Sequence, residues 1–201
     1  MRSAILATAL ASTLASAIAG PALSETCQEK FVRVMTERDT TTPVKIHVTQ
    51  EIVGGMKSTN WNLQDGKGNW RTEMIDPETM AWSMTVDNIF YSSGDKGTTW
   101  TKVREMDAGA SPEAVAATLV ERAKTVRNAE CGEEELDGKA HETVAAEYDM
   151  QGGYVVHDKY WIDPGTGYIP KLETKMKGSG FESFTTQLIE PAPGLTIEKP
   201  E

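Results

Sequence analysis

The chain has 201 residues, 20 lysines and arginines against 30 aspartates and glutamates, and a formal net charge of −10. That acidity excludes electrostatic binding of nucleic acid, and of anionic headgroups too without a local basic patch; the lysines and arginines are instead interspersed with carboxylates. With 39% hydrophobic residues and 2 cysteines, the chain can bury the core of one domain and is no cysteine-rich scaffold.

Arg2 gives a basic start, and Ala4 to Ala19 is an uncharged apolar run of small residues, the pattern of an export signal. Ala22-Leu23-Ser24 offers the small residues a signal peptidase reads, so cleavage is expected after Ser24, with Ala17-Ile18-Ala19 as a second choice. The expected organisation is a signal peptide over 1–24 and a single domain over 25–201. The run is too short and too alanine-rich to span a bilayer. Glu25 and Thr26 precede Cys27 where a lipidation signal needs Leu and small residues. The mature chain is therefore expected to be exported and unanchored.

Two amphipathic helices are predicted. Over 25–38, Cys27, Phe31, Val34 and Met35 recur at the spacing of one helical face. Over 111–127, Ser111-Pro112-Glu113 is an N-cap followed by proline at the first helical position, and Val115, Leu119, Ala123 and Val126 form a stripe.

The rest alternates with period two. Val44, Ile46 and Val48 interleave with Lys45, His47 and Thr49, and Met80, Trp82, Met84 and Val86 with Ala81, Ser83 and Thr85. About ten strands are predicted, at 43–53, 56–64, 69–75, 80–86, 88–92, 98–103, 130–136, 140–150, 154–163 and 168–177, with a closing pair near 181–190 and 195–199. Gly54-Gly55, Asp65-Gly66, Gly94-Asp95 and Gly152-Gly153 mark turns between them. The cluster Asp163-Pro164-Gly165-Thr166-Gly167 joins two strands. A phosphate loop would lead from a strand into a helix, so this is a hairpin bend. Asp76-Pro77-Glu78-Thr79 repeats its chemistry, and shared turn preference accounts for that.

Chemistry is hard to find. No G-x-S-x-G, H-E-x-x-H or phosphate-loop signature occurs. Cys27 and Cys131, an even pair in an exported chain, predict one disulfide and leave no thiolate nucleophile. They lack a CxxC partner and His47, His141 and His157 are scattered, so no metal site and no cofactor are expected. His157 and Asp158 are neighbours on a strand and point to opposite faces. Glu133-Glu134-Glu135 reads as a solvated run, and acids such as Glu73 and Asp87 meet only if the fold brings them together. Binding has more material: Met80, Trp82 and Met84 on one strand, with Trp61, Trp70 and Trp100 on others. Methionine adapts to irregular ligands, although such stripes also form ordinary cores.

Several passages resemble the periplasmic outer-membrane lipoprotein carrier and lipoprotein-sorting (LolA-like) superfamily. "GNWRTEMIDPETMAWSMTVDNIFYSSGDKGTTWTKV" at 68–103 is similar to the family's arginine-bearing strand and following hairpins. Trp161-Ile162-Asp163-Pro164 with Gly167 and Pro170, and the closing "LTIEKPE", resemble its C-terminal strand pair and end. The resemblance implies an α+β fold: a curved antiparallel sheet, an unclosed half-barrel of about 10–12 strands, covered on its apolar concave face by two helices. It implies a soluble, non-enzymatic carrier that shields a lipid or lipoprotein acyl chain in an apolar cavity. Phe31, Met35, Trp61, Met74, Met80, Trp82, Met84, Trp100 and Leu119 would line that cavity, with Arg71 as a lid contact. The partners would be a lipid or acylated lipoprotein and an unidentified membrane-protein donor or acceptor, the carrier itself being a monomer. The alternative is a periplasmic interaction or stress-response domain of the same fold with a filled core; a hydrolase is a third reading.

Overall fold

The computed structural model describes residues 25–106 and 111–200; the expected signal peptide lies outside the described residues. Helix α1 (Cys27–Glu37) starts in a capping box. The Thr26 hydroxyl accepts from Glu29 N at 3.2 Å, and the Glu29 carboxylate accepts from Thr26 N at 2.8 Å, satisfying two backbone donors that a helix start leaves open. Helix α2 (Pro112–Ala123) starts where Ser111 accepts from Ala114 N at 3.2 Å. It ends at Ala123, four residues short of the predicted 127. Val126 is buried, but from the turn after the helix rather than from its stripe. The next strand starts early, at Arg127, because Asn128 takes a left-handed backbone (φ 53°) that bulges it into register.

Eleven strands follow the predicted order: β1 (Val44–Ile52), β2 (Lys57–Gln64), β3 (Trp70–Asp76), β4 (Trp82–Val86), β5 (Ile89–Ser93), β6 (Thr101–Glu105), β7 (Arg127–Leu136), β8 (Lys139–Met150), β9 (Tyr154–Ile162), β10 (Lys171–Gly178) and β11 (Phe181–Pro191). The expected strand at 195–199 is absent: that segment pairs with no neighbour. One unclosed antiparallel sheet, a half-barrel, holds all eleven in the order β6-β5-β4-β3-β2-β1-β11-β10-β9-β8-β7. Two meanders, β1–β6 and β7–β11, thus meet along the β1–β11 pairing. At the β2–β3 turn Gly66 (φ +73°) passes so close to Thr41 that an added Cβ would lie 1.9 Å from its carbonyl oxygen. Buried Asp65 holds that turn by accepting from Lys67 N, Asn69 N and Asn69 Nδ2.

Register decides which side chains share a face, since directly paired residues point the same way. Cys131, Val144, Tyr160, Leu172, Gln187 and Val48 are linked in one row across β7, β8, β9, β10, β11 and β1. Both helices pack on this face, α1 against β7 and β8 and α2 against β8 and α1. Phe31 and Val144, both fully buried, centre the resulting core. The disulfide between Cys27 and Cys131 (Cα–Cα 5.5 Å) ties the first residue of α1 to edge strand β7. A second row, Lys45, Leu63, Arg71, Met84 and Tyr91, runs across β1 to β5 on the opposite face, because Lys45 and Val48 differ by an odd number of positions. It carries a second core of Leu63, Met84, Val86 and Tyr91, closed by Leu195 and Ile197.

Candidate functional site

The expected cavity residues fall into separate groups. Phe31 and Met35 are buried in the helix-side core and Leu119 packs half-buried against it; together they fill the space under the helices. Trp61, Met84 and Trp100 belong to the opposite core, and Trp82 shares the face of Met84, its indole Nε1 donating to Met74 O at 3.3 Å. Met74 lies on the helix-side face but out on β3, and Met80 is exposed before β4. No single hollow collects these nine residues. Arg71, the expected lid contact, lies between Leu63 and Met84 on the face away from the helices and pairs with Glu73 at 2.5 Å. The alternation revealed two-faced strands but not that the buried face changes sides between the two halves of the sheet.

A hollow of about 330 Å³ does open on the helix-side face, beside the filled core. Val34 of α1, Val44 and Ile46 of β1 and Ile189 of β11 form its apolar walls. Tyr168 and Ile169, the residues leaving the Asp163–Gly167 bend, close one side. The bend is a hairpin turn, as its sequence predicts. The Asp163 carboxylate accepts from Gly165 N, Thr166 N and the Thr166 hydroxyl, which hold its pKa below the usual value. The Tyr168 hydroxyl donates to Ile189 O at 2.5 Å, and burial pushes its pKa up to about 12. At the mouth, Arg33 is paired to Glu25 at 2.7 Å, and the Thr41 and Thr42 hydroxyls and Thr41 N hold the Asp39 carboxyl down at about 2. Arg38 and Glu37 complete a charged rim. None of the nine expected residues lines this hollow. The signal available was the run Val44-x-Ile46 opposite Ile189, once the β1–β11 register is known.

Beneath α1 lies the buried carboxylate of Asp158. It accepts from the Tyr148 hydroxyl at 2.9 Å, from Tyr160 at 3.3 Å and from Thr174 at 2.6 Å. Burial raises its pKa, outweighing the three hydroxyl donors, which act in the other direction. Phe31 covers both tyrosines, its ring centroid 6.3 Å from that of Tyr148 and 5.5 Å from that of Tyr160. His157 stands exposed on the opposite face, so no dyad forms. Glu133, Glu134 and Glu135 are exposed along β7, with Glu134 ion-paired to Lys159. Glu73 is engaged by Arg71, and Asp87 sits in the exposed β4–β5 turn. No group of three or more metal-ligating side chains gathers among the described residues.

No protein-family model matches the chain, and no curated protein matches it in sequence. Solved structures do. The crystal structure of MucB superposes with a TM-score of 0.52 at 14% identity, over 84% of this chain and 60% of MucB. The complex of Pseudomonas aeruginosa MucA and MucB gives 0.51 at 18% identity, over 83% of this chain and 59% of that one. The chain thus spans about 60% of the length of the MucB chains it matches. A LolA superfamily protein from Nitrosomonas europaea matches over 87% of this chain and 96% of its own, with 7% identity and a TM-score of 0.35. What the chain shares with MucB is its fold, the unclosed antiparallel half-barrel.

Proposed function

We propose that this chain is an exported, non-catalytic binding protein that shelters one acyl chain in the hollow between α1 and the β1–β11 centre of the sheet. The observation carrying this reading is the apolar wall of Val34, Val44, Ile46, Ile169 and Ile189 inside a charged rim. At about 330 Å³ the hollow is near the small end of ligand sites, which run from about 300 to 1,000 Å³. It suits a single chain. Each Å² of apolar surface withdrawn from water contributes roughly 25 cal/mol, so such a guest is held without directional bonds and can be passed on. Export through cleavage after Ser24, and a monomeric periplasmic carrier of lipid or acylated lipoprotein handed on by a membrane protein, belong to the same proposal.

The test is titration with a fluorescent fatty-acid analogue. Wild type binds it, Ile189→Arg weakens binding, and Phe184→Arg, on the opposite face, leaves it unchanged. Equal binding by Ile189→Arg, or a wild type that ignores the probe and carries no lipid in native mass spectrometry, would overturn the reading. The second outcome would favour the interaction domain. The fold-sharing MucB, solved together with MucA, supports that alternative.

A further inference from the structure

The second core has an unusual lid. Leu195 and Ile197, two positions apart in a segment without regular secondary structure, seat on Leu63, Met84, Val86 and Tyr91. Nothing in the sheet ladder holds them there. Beyond Pro191 the described backbone contacts are Ala192 N to Pro43 O at 2.8 Å and Leu195 N to Ala192 O at 3.0 Å. The segment is a strap retained by two side chains. It is also narrower than its seat: Trp61, Ile89 and Trp100 stay half-exposed around it. In the floor, Arg71 Nε is buried with no hydrogen-bond partner among the described residues. The same guanidinium pairs with Glu73 through Nη2 at 2.5 Å, so Arg71 is the charged member of an otherwise apolar floor.

We infer that this trough, on the sheet face away from the helices, is a docking site for an extended segment of a partner protein with apolar side chains at alternate positions, and that residues 195–197 occupy it in cis. Two side-chain sockets two residues apart suit an extended strand, and the methionine and tryptophan walls can reshape around a larger occupant. The acyl-chain hollow lies on the other face, so the two proposals stand or fall separately.

The experiment uses a labelled peptide, APGLTIEKPE, copied from residues 192–201, and the full-length chain. Wild type binds it weakly, because its own strap fills the trough in most molecules. The full-length double variant Leu195→Asp/Ile197→Asp binds at least about ten-fold more tightly, since removing the cis occupant lifts the population penalty on binding. Binding shifts tryptophan emission to the blue, and a peptide with aspartate at both apolar positions does not bind. Should the double variant fail to fold, Ile197→Ala, which only shortens one anchor, takes its place with the same expected tightening. A folded variant that binds no better than wild type overturns the inference, as does collapse of both variants, which would make the strap an indispensable part of the core. A concentration-dependent dimer by light scattering overturns it as well, by assigning the trough to a second copy of this chain.

Discussion

Replacing Cys27 and Cys131 together by serine releases the largest covalent loop in the domain. The bridge joins residues 104 positions apart and encloses all of β1 to β6. In the chain-entropy treatment a loop of that length restricts the unfolded chain enough to stabilise the fold by about 4.7 kcal/mol at 25 °C. The native state adds little to that figure, because Cys131 is exposed and Cys27 only half-buried, so serine costs little in burial at either position. Helix α1 keeps its anchorage through fully buried Phe31. With a urea slope of about 2 kcal/mol per M, the midpoint of unfolding should fall by about 2 M. Equilibrium unfolding followed by tryptophan fluorescence and far-UV circular dichroism measures this directly. A midpoint lowered by less than about 0.5 M, or about 1 kcal/mol at that slope, would refute the loop-entropy reasoning.

Phe31→Ala, with the disulfide intact, empties the centre of the helix-side core and should cost about 3–5 kcal/mol in urea unfolding; a loss below about 1 kcal/mol would mean that the helices are not seated as described. Gly66→Ala forces a side chain into a left-handed position and against the Thr41 carbonyl, so a loss of at least about 1–3 kcal/mol is expected, and an unchanged melting temperature would show the close approach to be wrong. Asp158→Asn tests the buried carboxylate. Burial lifts its folded pKa above the ordinary 3.8, so the folded state keeps a proton that the unfolded state has released. The associated stability is fully present below the unfolded pKa and is lost as pH rises through the folded one. Wild-type stability minus that of Asp158→Asn should therefore decline as pH rises above about 4; a flat difference in urea titrations would remove the argument.

Strand positions and turns were legible because alternation and turn chemistry are local. Val44-Ile46-Val48 and Trp82-Met84-Val86 each announce a two-faced strand, and the Asp163–Gly167 bend announces a hairpin. The sidedness of those strands was not legible. It depends on register across β1, β2, β3 and β4, and a shift of one residue anywhere in that series exchanges the faces. For that reason Met84 and Val144, each an apolar position of a strand, sit in different cores. The end of α2 was misplaced for a related reason. Val126 fits the helical stripe, yet its burial comes through a turn and the bulge at Asn128. The hollow is not legible in the sequence because its walls come from α1, β1, β11 and the segment after the bend, brought together only by the β1–β11 pairing.

That pairing has a topological consequence. Fusing the chain's two ends and reopening it between β6 and α2 would place every strand next in strand order to its hydrogen-bonded neighbour, a zigzag from β7 to β6 interrupted only by α1 between β11 and β1. The natural connectivity differs from that permutant at a single seam, the one junction formed by segments far apart in sequence. Because distant pairing slows folding, the permutant should fold faster to the same half-barrel, with the seam as the last part of the natural sheet to zip shut.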